Sequence, residues 1–143
     1  MRALVIHESL TGNTRRAAGI VVEELIARGW EASECSSRTV DLAALQQADV
    51  VVVGTWVDGL ILFGQRPGGS GKLSKIPLLA GKPTYGFVTY AVDAGKTLDK
   101  LTAVLEDRDG DVRGAMAIRR DQLEVGAVSL AAGIVEAVPA ALA

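Results

Sequence analysis

The residues with the clearest chemical potential lie together near the amino terminus. Ser9-Leu10-Thr11-Gly12-Asn13-Thr14 carries a hydroxyl or amide side chain at four of six positions. Gly12 lets the backbone approach a ligand closely or take positive φ. A helix beginning near Thr14 aims its free N–H groups and positive dipole end at the same spot. That combination describes an anion site, most simply one for a phosphate ester. Capping a helix needs one such residue, and four in six exceed that need. The loop holds no Lys or Arg, although Arg15 and Arg16 follow it. A phosphate held by neutral donors suits a monoester that stays bound, rather than a triphosphate arriving with magnesium.

Other chemistries are excluded by simple counts. Gly68-Gly69-Ser70-Gly71-Lys72-Leu73 imitates a nucleotide P-loop, but that motif needs Gly five residues before its last Gly and Ser/Thr after the Lys. Arg66 and Leu73 stand there. The chain has one cysteine, Cys35, and one histidine, His7, too few for an internal disulfide or a Cys/His zinc site, and His7 lies inside an apolar run, which argues against a catalytic triad. Its 15 Lys+Arg and 17 Asp+Glu give a net charge of −2 with no run of one sign, which argues against a basic nucleic-acid face. The start, Met1 to Glu8, is too short an apolar run for a signal peptide. The apolar tail from Val125 to Leu142 is broken by Ser129, Glu136 and Pro139. It reads as a packed terminal helix rather than a membrane span, and the expectation is a soluble, cytoplasmic protein.

The elements that must position the loop follow from hydrophobic periodicity. Leu4-Val5-Ile6 and Val50-Val51-Val52-Val53 are continuous apolar runs, expected of strands buried on both faces. Ala17, Val21 and Leu25 recur every four residues in a helix over 14–28, which Gly29 closes in a left-handed cap. Residues 31–37 give a weak second strand and 40–47 a turn or two of helix. The stretch 60–82, rich in Gly and Pro, reads as loop with a short helix through Leu73 and Ile76. Thr84 to Tyr90 gives a fourth strand, 95–109 a helix capped by Gly110, and Val112 to Ile118 a fifth strand. Asp121 is expected to cap a last helix through Ala127, Leu130, Ile134 and Val138. With no internal repeat and no linker, residues 1–143 read as one domain. Strands alternating with helices imply an α/β fold with a covered parallel sheet. Ligands of such sheets bind beyond the carboxyl ends of the strands.

Val5-Ile6-His7-Glu8-Ser9-Leu10-Thr11-Gly12-Asn13-Thr14, followed by Ala18 and Val21, resembles the N-terminal signature of flavodoxins. There a Ser/Thr-x-Thr-Gly-Asn-Thr loop wraps the phosphate of flavin mononucleotide (FMN). His7 departs from the aromatic residue usual in the family, at a strand-end position that should not touch phosphate. The strand–helix order is similar to that of short-chain flavodoxins over nearly the whole chain. The resemblance implies a flavodoxin-like three-layer sandwich with a five-stranded parallel sheet in the order 2-1-3-4-5. It further implies that FMN is the cofactor.

In that order strands one, three and four are neighbours, so the loops after the third and fourth converge beside the phosphate loop. They read Gly54-Thr55-Trp56-Val57-Asp58-Gly59 and Thr89-Tyr90-Ala91-Val92-Asp93-Ala94-Gly95. The chain holds only six aromatic residues, and Trp56 and Tyr90 both fall beyond these strands. Alone, either is more often a packing residue, as Trp30 is read here. Together with the phosphate loop they are expected to flank the flavin ring. By the resemblance, backbone groups of Val57–Gly59 and Tyr90–Gly95 bond the ring edge. Asp58 and Asp93 are solvated turn residues or, if near the ring, disfavour the anionic reduced flavin.

Family resemblance also places a peptide after the first aromatic that turns over when the flavin gains one electron. The residue there needs positive φ, and here it is Val57, or Gly59 if the turn is shifted. Leu60-Ile61-Leu62-Phe63 either covers the sheet or lies over the flavin edge to receive a partner, with Lys96 and Lys100 adding positive charge. Three roles stay open: an electron carrier for a redox partner protein, a small NAD(P)H-dependent reductase of a quinone-like acceptor, and a non-redox binding or regulatory module. Flavodoxin carriers are strongly acidic, and a net charge of −2 gives weak steering. No G-x-G-x-x-G dinucleotide fingerprint is present, so a nicotinamide would visit the flavin only briefly.

Overall fold

Apolar, largely β-branched runs form the centre of the molecule. In a computed structural model describing residues 1–58 and 64–142, Val50–Val53 and Leu4–Ile6 are fully buried and pair with each other in parallel. The elements are β1 (Arg2–His7), α1 (Asn13–Ala27), β2 (Glu31–Ser36), α2 (Leu42–Gln47), β3 (Val50–Asp58), β4 (Arg66–Pro67), α3 (Ser70–Leu73), β5 (Pro83–Tyr90), α4 (Thr97–Asp107), β6 (Asp111–Arg119) and α5 (Leu123–Leu142). Five strands run parallel in the order β2-β1-β3-β5-β6. Counted among themselves they realise the expected 2-1-3-4-5 arrangement. A sixth strand, β4, is an addition that periodicity did not indicate. Its two residues pair antiparallel with the end of β3, Val57 with Pro67 and Asp58 with Arg66. Pro67 has no N–H to donate, which suits an edge position.

Helices cover both faces. On one, Ala17, Val21 and Leu25 of α1 and Ala127, Leu130 and Ile134 of α5 join Val5, Val52 and Phe87 in a core that also takes Trp30. On the other, Leu101 and Leu105 of α4 pack with Leu4, Ile6, Val51, Leu73 and Ile76. No described helix is long and apolar enough to cross a membrane.

Two helix ends differ from expectation. Gly29 closes α1 at φ 91°, with Trp30 N–H donating to Leu25 O at 3.0 Å. At the end of α4, however, Asp109 takes the left-handed position (φ 62°), and Gly110 N–H donates to Leu105 O at 2.9 Å. Gly110 is instead needed for closeness, since a Cβ there would lie 3.0 Å from Leu105 O and from Thr84 Oγ1. Asp121 does not cap α5. Its carboxylate accepts a 2.6 Å bond from Arg119 Nε, and the helix starts two residues later, with Gly126 N–H donating to Gln122 O.

Gly54 marks the tightest crossing in the sheet. It pairs with Phe87 across β3 and β5, and an added Cβ would fall 2.0 Å from that ring's Cζ. Phe87 is fully buried and cannot swing out. Gly54→Ala is therefore expected to destabilise the fold by roughly 1–3 kcal/mol through overpacking. Urea unfolding should show a lower midpoint at unchanged slope.

Candidate functional site

The loop after β1 winds tightly before α1. Glu8 N–H donates to Gly54 O at 2.9 Å, prolonging the β1–β3 alignment past His7. Gly12 occupies the N-cap position at φ 97°, and an added Cβ there would meet nothing within 4 Å. It serves conformation rather than packing, and it leaves open space in front of the helix. Ser9 Oγ accepts from Gly12 N–H at 3.1 Å and Arg15 N–H at 3.4 Å, so Ser9 caps from inside the loop. The N–H groups of Thr11, Asn13 and Thr14 have no protein acceptor among the described residues. That outward array of neutral donors at a helix N-terminus fits a phosphate monoester.

Thr14 is buried, and its hydroxyl shares a 2.9 Å hydrogen bond with Thr89 Oγ1 at the end of β5. This ties the phosphate-type loop to the strand that carries Tyr90. His7 is also buried, with Nε2 against the Glu34 carboxylate of β2.

The sequence predicts a loop from Gly54 to Gly59, but Gly54, Thr55, Trp56, Val57 and Asp58 belong to β3, which β4 prolongs. The turn after β4 folds over the indole: a Cβ on Gly68 would fall 2.0 Å from Trp56 Cε2. Gly68 N–H donates to Trp56 O at 2.7 Å, and buried Thr55 donates its hydroxyl to Gly68 O at 2.5 Å. Gly69 lies against the Glu8 side chain, where an added Cβ would fall 2.5 Å from Cγ. Two of the glycines that imitate a P-loop, Gly68 and Gly69, thus serve packing against Trp56 and Glu8.

Leu10, Thr11, Asn13, Trp56, Val57, Thr89, Tyr90 and Ala91 come together around one cleft of about 130 Å³. This is smaller than the ~300–1,000 Å³ of an enclosing ligand pocket, so a planar ligand there keeps an open edge. Ser9 and Gly12 shape the loop behind it, while Thr14 and Thr55 are buried beneath. Asp58 turns to Arg66, 3.3 Å away. Asp93 and Gly95 lie in an adjoining hollow with Gln65, Lys96 and Lys100. Gly59 and Leu60–Phe63 lie outside the described residues. A larger hollow of about 280 Å³ lies at the opposite end of the sheet, beside the mutually paired Arg2 and Glu31. None of the candidate residues lines it.

Two residues escaped sequence reasoning. Arg120 also lines the cleft, and its N–H donates to Tyr90 O at 2.8 Å. Its position just past a parallel strand was a usable signal. Glu8 is 1% exposed, its carboxylate held by the Ser37 hydroxyl and by Arg38 Nη2 at 3.1 Å. Nothing in its neighbours along the chain indicates that burial. Cys35 is half-buried, and desolvation raises its thiol pKa above the ordinary value. No cluster of three metal-ligating side chains occurs among the described residues.

The family model for the flavodoxin domain matches residues 4–107. No curated protein matches the chain in sequence. Among solved structures, the chain is similar to oxidised flavodoxin 1 from Bacillus cereus, at 18% identity and a TM-score of 0.69, covering 96% of this chain and 99% of that one. It is similar to two-electron reduced Megasphaera elsdenii flavodoxin, at 17% identity and a TM-score of 0.67, over 91% and 98% of the two chains. It also matches rubredoxin oxygen:oxidoreductase from Desulfovibrio gigas, at 15% identity and a TM-score of 0.66, covering 93% of this chain but 36% of that one. At these identities the likeness shows the fold.

Proposed function

The chain belongs to the flavodoxin domain family, and from that premise we propose that it binds FMN non-covalently at the cleft and transfers electrons through it. The observation that carries this reading is the Ser9–Thr14 loop, whose unpartnered N–H groups open beside a cleft walled by Trp56 and Tyr90. In this reading Ser9, Leu10, Thr11, Gly12, Asn13 and Thr14 hold the phosphate. Trp56 and Tyr90 flank the ring, Val57, Asp58, Gly59, Thr89, Ala91, Asp93 and Gly95 frame its edge, and buried Thr55 supports Trp56 from beneath. Bound FMN supplies reversible uptake and release of electrons. The protein's part is to fix the ring where one edge stays open to a donor or acceptor.

The covered indole face narrows how stacking can occur. Gly68 occupies one side of Trp56, so a ring stacks on the other. Adding FMN is expected to quench indole emission strongly, and Trp56→Leu to remove most of that quenching. Trp30 precedes β2, at the opposite end of the sheet, and is buried in the core, so Trp30→Phe serves as the control. Equal quenching in the two variants would remove the support for stacking.

A reductase reading has its own observation, the β-branched Val57 fixed in strand pairing with Pro67, which disfavours one-electron chemistry. The deciding experiment mixes the FMN-loaded protein with NADH or NADPH and a quinone under steady-state conditions. Sustained turnover identifies a reductase. Reoxidation of pre-reduced protein by an acceptor, without nicotinamide turnover, identifies a carrier. Failure of both would return the protein to a non-redox binding role.

A further inference from the structure

Net charge conceals how the charges are arranged. In a parallel sheet every segment that follows a strand lies at the carboxyl end, together with the first turn of the next helix. Across those segments and β3's last residue Asp58 and β6's last residue Arg119, Lys and Arg number nine against seven Asp and Glu. The remainder of the molecule carries six Lys and Arg against ten Asp and Glu. A chain of net charge −2 is thus basic at its cleft end and acidic elsewhere.

Pairing sharpens the contrast. At the cleft end Asp58 is matched by Arg66, Asp121 by Arg119, and buried Glu8 by Arg38. Asp41 caps α2, and the Asp93 carboxylate accepts from Gly95 N–H within its own turn. Both remain exposed anions, as do Asp99 and Glu124, so four anions at this end have no cationic partner among the described residues. Against them stand exposed cations with no carboxylate partner among the described residues: Arg15, Arg16 and Arg120 on the α1–α5 side, and Lys72, Lys96 and Lys100 on the α3–α4 side. Between these two groups Leu10 is 71% exposed and Val92 79% exposed. Both are apolar residues held out to solvent beside the cleft. An apolar centre within a charged rim is the composition of a protein-docking surface.

We infer that the carboxyl-end face docks an acidic partner protein, against the expectation set by net charge. Field strength at contact follows the nearby charges, because salt screens those more than about 10 Å away. Complementary rim charges act mainly on encounter and on salt dependence. The inference rests on the electron-transfer reading only in taking the partner to be a redox protein; the basic face is present without flavin, and the phosphate of bound FMN, which adds negative charge at the Ser9–Thr14 loop, should weaken the docking.

The test is an amide NMR titration of the protein with two probes, an acidic plant-type ferredoxin and basic cytochrome c. The acidic probe is expected to bind more tightly, to shift amides of the 8–16, 91–100 and 119–124 segments, and to weaken steeply with added salt. Arg16→Glu with Lys96→Glu should lower its affinity about tenfold. Arg28→Glu with Arg113→Glu makes the same net charge change at the far end and should leave the affinity nearly unaltered. Tighter binding of cytochrome c to this face, no binding of the acidic probe at low salt, or equal losses in the two double variants would overturn the inference. If the protein takes up no FMN yet still binds the acidic probe here, the flavin reading fails and the docking surface stands.

Discussion

Gly12→Val is expected to weaken FMN binding at least a hundredfold while leaving the protein folded. Gly12 sits at φ 97° in open space, so the substitution meets no clash in the core. A β-branched residue in that conformation is strained by about 1–3 kcal/mol, and the loop relaxes by moving its N–H groups out of register. Each lost hydrogen bond to a charged group costs roughly 1.5–3 kcal/mol, and two such losses amount to about two powers of ten or more in affinity. Thr14→Ala behaves differently, because its hydroxyl already bonds Thr89. It should lose about 1 kcal/mol of stability together with affinity. Equilibrium titration of the folded variants separates the two, and parent-like FMN affinity in Gly12→Val would show that the phosphate sits elsewhere.

The second large effect concerns how electrons enter. Val57 follows Trp56 within β3 and is in register with Pro67 of β4. Turning over the adjacent peptide would demand positive φ at a β-branched residue, a strained outlier, and would break the two-residue pairing. The strain of about 1–3 kcal/mol outweighs a hydrogen bond worth roughly 1 kcal/mol. Anaerobic photoreduction of the FMN-loaded protein should therefore pass almost directly from oxidised to fully reduced flavin, with little long-wavelength absorbance between. Val57→Gly should raise that intermediate absorbance several-fold. A large accumulation in the parent would contradict the argument and favour a one-electron carrier.

Much of this architecture was legible in the chain because its strongest signals are local. Four consecutive valines leave little alternative to a buried strand, and Ala17, Val21 and Leu25 mark one face of a helix. The Ser9–Thr14 loop announces itself because helix-end electrostatics and glycine conformation act within six residues. What was hidden depends on distant parts of the chain. β4 is two residues long and contains proline, so no periodicity reveals it; it exists because Trp56 and Gly68 fit one another. Asp121 has the right residue type for a cap, yet Arg119 two residues away takes its carboxylate. Gly110 has the right residue type to cap the helix before it, whereas the turn places Asp109 in the left-handed position and needs glycine next for clearance. Burial of Glu8 arises from Ser37, Arg38 and Gly69, none of them adjacent in sequence. Charge polarity is hidden in the same way, since a sum over the chain discards position.

The most direct test of the account is a fluorescence titration of the flavin-free protein with FMN and, in parallel, with riboflavin, which lacks the phosphate. The account predicts saturable binding of one FMN per chain, quenching of Trp56 emission, and far weaker binding of riboflavin. Absence of saturable FMN binding, or equal affinity for the two flavins, would contradict it.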